Sequence, residues 1–265
     1  MSTMHPVATE FDPTNAEGQL DGDNVKPRST PAASSKLLTR YSKSAPLDNS
    51  FNYCSDIGKL NYLEKARRSD ISFAVHQCAR LVSDPKAEHG EAVRWLGGYL
   101  KATKDKGTIM GPSTDKKLEV FVDASFCGDW DPSEANKDHD AARSRHGLIV
   151  NYAGCPLLWK KLQLQTEIAL SSTESKYTGL SYVLCDTIPI MQLLKEMKEV
   201  RFPVVAPQAC IHCHVFEDNS GALEMAKIHK YRPRTKHLNI RLHHFRDCVV
   251  RKEISIHLIN TRLTS

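Results

Sequence analysis

The chain lacks any apolar run long enough to cross a membrane. Its longest stretches without Lys, Arg, Asp or Glu are 146–159 and 202–216. Both fall short of the roughly 20 apolar residues that a spanning helix needs, and both contain proline and histidine. No early segment combines a basic start, an apolar run and a small-residue cleavage site, so no secretory signal is read. Without one, eight cysteines in 265 residues point to reduced thiols, not to a disulfide framework. The expected location is cytoplasmic or nuclear, not secreted and not in a membrane. Large apolar groups are scarce across residues 1–50, where Ser, Thr, Pro, Asn and Asp dominate. Such a stretch cannot bury enough surface to offset its ordering entropy, and it reads as a disordered linker. No internal repeat is present. One charge sign is missing over a long stretch: from Lys227 to Arg246 there are seven Lys/Arg and no Asp or Glu. That composition suits a phosphate backbone, and it equally suits a solvated helix face and loop.

The remainder is patterned. Ile57, Leu60 and Leu63 begin a helical spacing. Ile71, Ala74, Val75, Cys78, Ala79 and Val82 continue it, as do Ala92, Trp95, Leu96, Tyr99 and Leu100. Asp84-Pro85 separates the last two groups. A small helical unit is therefore predicted over 51–110. After the turn cluster Gly111-Pro112-Ser113 the period changes. Leu118–Val122 reads as a strand, and Gly147–Tyr152 and Pro156–Trp159 as a hairpin joined by Ala153-Gly154-Cys155. Glu167–Leu170 suggests another strand. Helices are predicted over 172–185, 187–199, 219–228 and 237–250, with strands over 211–217 and 254–259. A mixed sheet flanked by helices is the natural assembly over 115–265.

Three acids stand at the edges of these elements. Asp123 ends the run LEVFVDAS, Glu174 lies in ALSSTESKY at the start of a helix, and Asp218 ends the run CHVFEDNS. Each has a structural explanation. Ser171-x-x-Glu174 matches a capping box, Asp218-Asn219-Ser220 sits where a helix N-cap belongs, and Asp123 suits a strand-end turn. Together, acids from separate elements converging at one end of a sheet could bind Mg²⁺, which takes carboxylate oxygens and relieves their mutual repulsion. Glu217 is less attractive, because in a strand it faces away from Asp218.

The order VDAS, ALSSTE, KY and EDNSGAL, followed by RPRTKHLNIR and HHFRD, resembles the ribonuclease H region of copia-type retrotransposon Pol polyproteins. Upstream, YCSDIGKLNYL, SDISFAVHQCAR and HGEAVRWLGGYLKAT are similar to the segment that joins the reverse transcriptase to that region, and TPAASSKLL resembles its linker. The resemblance covers roughly residues 30–265. It implies an α/β, ribonuclease H-like fold: a mixed sheet flanked by helices, preceded by a small helical segment and a disordered tail. It implies hydrolysis of the RNA strand of an RNA–DNA hybrid at a two-metal Mg²⁺ site. Asp123 would bridge the metals, and Glu174 and Asp218 would complete the leaving-group side. Lys227, Lys230, Arg232, Arg234 and Lys236 would contact phosphates. The reverse-transcriptase portion of the same polyprotein is the implied protein partner. Hydrogen bonding is the expected role for His229, His237, His243 and His244.

The chain departs from the family pattern. Lys176 replaces the acid usual beside the active helix, Ser69 stands for a proline, Asn239 lies where an aspartate is common, and WKKLQLQTE carries an extra basic pair. The phrase that normally supplies a fourth acid does not follow EISIHLINTRLTS, and no YVDD pair of a polymerase palm is present. The expectation is a C-terminally truncated ribonuclease H-like domain with impaired hydrolysis. The alternatives are a non-catalytic nucleic-acid-binding module and a non-functional remnant. Cys210-x-x-Cys213-His214 matches the haem-attachment pattern, but its alternation suits a strand, and no haem is expected. No second ligand pair accompanies Cys210, His212, Cys213 and His214, so no zinc is expected either.

Overall fold

The computed structural model describes residues 25–34, 38–48, 51–113, 117–128, 130, 142–201, 211–227 and 243–259. They fall into two compact units, one ending at Thr108 and the other beginning at Ile109.

The first unit is helical. Helix α1 (Tyr53–Ala66) starts at Asn52, whose side chain accepts from the Ser55 N–H. A 3₁₀ turn (Ser69–Ile71) leads into α2 (Ser72–Ala79), and α3 (Ala87–Ala102) follows the Asp84-Pro85 break. Of the predicted apolar positions, Ile57, Leu60, Ile71, Ala74, Val75, Cys78 and Leu96 form one core together with Val93, and Leu63, Ala79, Val82, Ala92, Tyr99 and Leu100 pack against it partly buried. Residues 25–34 and 38–48, part of the stretch expected as linker, add little to that core and are tied to its helices. The Arg28 N–H donates to the Gly98 carbonyl, Trp95 Nε1 donates to the Thr30 carbonyl, and the Leu47 N–H donates to the Pro85 carbonyl. Residues 1–24 of that stretch lie outside the described residues.

The second unit is an α/β, ribonuclease H-like domain. Among the described residues its sheet has five strands in the order β3-β2-β1-β4-β5. These are β1 (Leu118–Ser125), β2 (Arg145–Tyr152), β3 (Cys155–Leu164), β4 (Cys213–Glu217) and β5 (Ile254–Leu258). The strands β1, β2 and β3 are antiparallel neighbours, whereas β1–β4 and β4–β5 are parallel. The hairpin turns at Ala153 and Gly154, both at positive φ, as a two-residue turn matched to strand twist requires. One face of the sheet is covered by α4 (Ser172–Glu199), with α5 (Ser220–Lys227) and α6 (Arg246–Val250) nearby in the chain order β4-α5-α6-β5. Leu118, Val120, Val122, Leu148, Val150, Val215, Ile254 and Ile256 meet Tyr177, Leu180, Val183, Leu184 and Phe245 in the core.

Three local expectations change. Helices predicted over 172–185 and 187–199 are one helix, which continues through Pro189. A proline inside a helix costs about 3 kcal/mol. Buried residues on both sides of it, Leu180, Val183 and Leu184 before and Met191 and Leu194 after, offset that cost. Glu167–Leu170 is not a strand: Ile168 and Leu170 are exposed, and the Leu170 N–H is taken by a side chain. Strand β3 is longer than the predicted Pro156–Trp159 and runs on through the basic pair to Leu164. Lys160 is accommodated there by Asp186, 2.9 Å away on α4. Of the helix predicted over 237–250, residues 237–242 lie outside the described residues.

Candidate acidic site at the end of the central strands

The parallel pair β1/β4 places two acids side by side. The last paired rung is Phe121 with Phe216, whose rings stack with centroids 4.9 Å apart. Two residues further along each strand come Asp123 and Asp218. Because side chains alternate with a period of two, both continue the side that carries the phenylalanines. The sequence writes this twice, as Val-Phe-Val-Asp at 120–123 and Val-Phe-Glu-Asp at 215–218.

Helix α4 closes the site from one side. Gly179 lets it approach β1: a Cβ there would lie 3.0 Å from Ala124 Cβ and 3.2 Å from His146 Cβ. Ser175 fixes the same register, its hydroxyl donating to the Ser125 carbonyl. The residue that α4 then directs at the two aspartates is Lys176. Its Nζ lies 2.6 Å from Asp123 Oδ1 and 2.5 Å from Asp218 Oδ1. The lysine side chain is 13% exposed, against 84% for Asp123 and 20% for Asp218. Burial pulls the Lys176 ammonium down, but the hydrogen bonds to Asp123 and Asp218 outweigh it and raise it above its ordinary value. Burial would raise the Asp218 carboxyl, yet Lys176 and a hydrogen bond from Glu217 hold it below the usual carboxylate range.

Glu174 is engaged elsewhere. Ser171 caps α4 by accepting from the Glu174 N–H at 3.1 Å, and Glu174 Oε2 accepts from the Leu170 N–H at 2.9 Å. This is a close variant of the capping box that Ser171-x-x-Glu174 suggests. The cap of α5 is Asn219, whose Oδ1 accepts from the Ala222 N–H, which leaves the Asp218 carboxylate to Lys176. The structure thus joins Asp123 and Asp218 through Lys176 and holds the Glu174 carboxylate at the helix start.

Glu217 is the group the sequence reading passed over. It does face away from Asp218 along the strand, and so it points into the core, fully buried. Its Oε1 accepts from the N–H groups of Asp218 and Asn219, while Oε2 has no donor. Burial, then a hydrogen bond to Asp218, push its carboxyl up to about 8, with the Lys176 ammonium pulling the other way. Both causes favour its neutral form. Only the absence of a core-compatible side chain at 217 could have signalled this in the sequence.

A divalent cation does not fit this donor set. Mg²⁺ demands near-octahedral oxygen ligation with carboxylates and waters. Here the space between the two aspartates holds an ammonium, and among the described residues no group of three His, Cys, Asp or Glu is arranged to hold a metal ion. Of the expected phosphate contacts, Lys227 ends α5 and is exposed, and Lys230, Arg232, Arg234 and Lys236 lie outside the described residues. His243 Nδ1 lies 2.6 Å from the Tyr177 hydroxyl and His244 Nε2 lies 3.4 Å from Cys185 Sγ. His229 and His237 lie outside the described residues. Cys213 faces the core, whereas His212 and His214 face Ser255 on the other side of the sheet. No described helix is long and apolar enough to cross a membrane.

The fold is ribonuclease H-like, and comparison with known proteins gives the lineage of the chain. The chain is 29% identical over 243 residues to the Retrovirus-related Pol polyprotein from transposon TNT 1-94 of Nicotiana tabacum, covering 90% of this chain and 17% of that one. It is 30% identical over 227 residues to the Retrovirus-related Pol polyprotein from transposon RE1 of Arabidopsis thaliana, covering 85% and 14%. The protein named Secreted RxLR effector protein 161 of Plasmopara viticola is 30% identical over 129 residues, 49% of this chain and 84% of that one. No protein-family model matches the chain, and no solved structure matches it. The chain is a region derived from a retrotransposon Pol polyprotein, and it spans only 14–17% of the length of the Pol relatives named above.

Proposed function

We propose that this is the ribonuclease H part of a copia-type Pol polyprotein, that its substrate is an RNA–DNA hybrid, and that its hydrolytic site is impaired. The observation that carries the reading is the convergence of Asp123, Asp218 and the first turns of α4 at one end of the central parallel strands, with Lys176 seated on both acids. Acids placed in that way suit metal-assisted attack on a phosphodiester. The ammonium between them opposes it. The reverse-transcriptase portion of the same polyprotein is the proposed protein partner, and Mg²⁺ the metal of the unimpaired ancestor.

The experiment is a cleavage assay on an RNA–DNA hybrid with Mg²⁺, run beside a binding measurement in chelator. Hybrid binding with little or no cleavage is expected. Robust cleavage that Asp123→Asn abolishes would refute the impairment and retain the nuclease assignment. Absence of hybrid binding would remove both.

A second reading, a nucleic-acid-binding module without catalysis, is favoured by the exposed Lys227 at the end of α5 and the basic run that follows it. Such a module binds hybrid and DNA duplex alike, without metal. Its affinity falls steeply as salt rises, about tenfold or more between low and physiological salt for several phosphate contacts.

A further inference from the structure

We propose that Lys176 is the resident cation of the acidic site: its ammonium takes the position a divalent metal would need, closes the site to such metals, and its replacement by glutamate opens it. The inference rests on the reading of the site as a ribonuclease H-type acidic cluster.

The geometry is specific. One Nζ stands 2.6 Å and 2.5 Å from oxygens of two different carboxylates. Those carboxylates come from the ends of neighbouring strands, two residues beyond the last paired rung of β1 and β4. The site was therefore built to bring two negative charges together. Without a cation between them they would repel. A cation at that point is a structural requirement, and the chain supplies it covalently. The Lys176 side chain is only 13% exposed and Asp218 20%, so that pair is shielded from solvent, whereas the pair with Asp123, 84% exposed, is screened.

Atom counting shows why this position is the decisive one. Along a lysine, Nζ is the fifth atom out from Cα. Along a glutamate, the carboxylate oxygen is the fourth, so a metal ligated to it occupies the fifth place. Lysine at 176 thus puts its charge where a glutamate would put a bound cation. Glu174, two residues earlier, is turned to the helix cap. A divalent cation approaching the present site has to displace a tethered ammonium, which still repels it at short range.

The test is Mn²⁺ binding to the full chain, followed by electron paramagnetic resonance of free Mn²⁺ and by thermal unfolding with and without Mn²⁺. The natural chain is expected to show no saturable site involving Asp123 or Asp218. Lys176→Glu is expected to gain one, with affinity about tenfold or more tighter than any residual binding and a melting temperature that rises with Mn²⁺. Asp218→Asn added to Lys176→Glu should abolish the gain. Lys176→Gln, which removes the ammonium without adding charge, serves if the glutamate variant fails to fold, and it should gain a weaker site with the same dependence on Asp218. The proposal is overturned if the natural chain binds Mn²⁺ as tightly as the variants through Asp218, or if neither variant gains a site. Hybrid binding in chelator, measured on the same proteins, separates the two ideas. Hybrid binding with no gain of Mn²⁺ overturns the resident cation alone. A gain of Mn²⁺ without hybrid binding overturns the nuclease reading alone.

Discussion

Each of the two units holds a cluster of charges, and the clusters are satisfied in different ways. In the helical unit Arg68 donates to both oxygens of Asp70 at 3.0 and 2.9 Å, to the Thr103 carbonyl at 3.2 Å and to its hydroxyl at 2.7 Å. Tyr99 donates to the same Asp70. Guanidinium and carboxylate fit as a fork, and the cluster ties the end of α1 to the end of α3. In the sheet unit, Lys176 serves two carboxylates with one compact ammonium, and a buried Glu217 oxygen has no donor. The first arrangement explains itself as architecture. The second brings like charges together at a strand end and then needs a cation to tolerate them.

The largest test of the contrast is pH. Glu217 has a folded pKa of about 8, above its ordinary 4.5. Its neutral form is the one the fold favours, so its contribution is full below the ordinary value and is lost as pH rises through about 8. Glu217→Gln should remove a loss on the order of 4 kcal/mol between about pH 5 and about pH 9. Hydrogen exchange of β1 and β4 amides reads this directly. A pH-independent natural sheet unit would erase the contrast. His146 acts in the opposite sense. Burial pulls its imidazole down to about 4, with Asp186 pulling the other way. The neutral ring's contribution is present above the ordinary pKa of about 6.5 and is lost as pH falls through about 4, on the order of 3 kcal/mol. His146→Gln should flatten the acid limb of sheet-unit unfolding.

Removing each cation sharpens the comparison at a smaller scale. Arg68→Ala and Lys176→Ala should each cost about 2 kcal/mol, below the range for fully buried pairs because Asp70 and Asp123 are exposed. Divalent cation should recover part of the loss for Lys176→Ala and none for Arg68→Ala, as followed by denaturant unfolding with Mn²⁺. The smallest effect concerns the cap. Ser171→Ala should cost about 1 kcal/mol through the α4 N-terminus, without changing Mn²⁺ binding in a Lys176→Glu background. A change in Mn²⁺ binding there would mean that the cap and the acidic cluster are one device.

Much of the fold was legible because its signals are local. Apolar spacing marked α1, α2 and α3, and the Ala153-Gly154 turn marked the hairpin. Where reading failed, long-range packing had overruled local preference. Pro189 stays inside α4 because the core holds the helix on both sides, and β3 runs through its basic pair because Asp186 on α4 receives Lys160. Ile168 and Leu170 looked like a strand but found no partner strand, and they remain exposed. Asp123 and Asp218 were recognisable as strand-end acids. Glu174 was read as their companion, and the structure engages it in the cap that its own spacing to Ser171 had also suggested.

The sequence by itself determined the periodicities, the order of the elements and the two Val-Phe-x-Asp phrases, since each depends on residues a few positions apart. Tertiary structure alone decided which side chain of α4 faces the aspartates. A helix turns by about 100° per residue, so positions 174 and 176 point in widely different directions. The seating of Gly179 on Ala124 and the Ser175 bond to the Ser125 carbonyl set which of them meets the sheet. It also turned Glu217 from a residue on the wrong side of a strand into a buried acid in contact with the site. That outcome depends on what lies above the strand, which no local pattern contains.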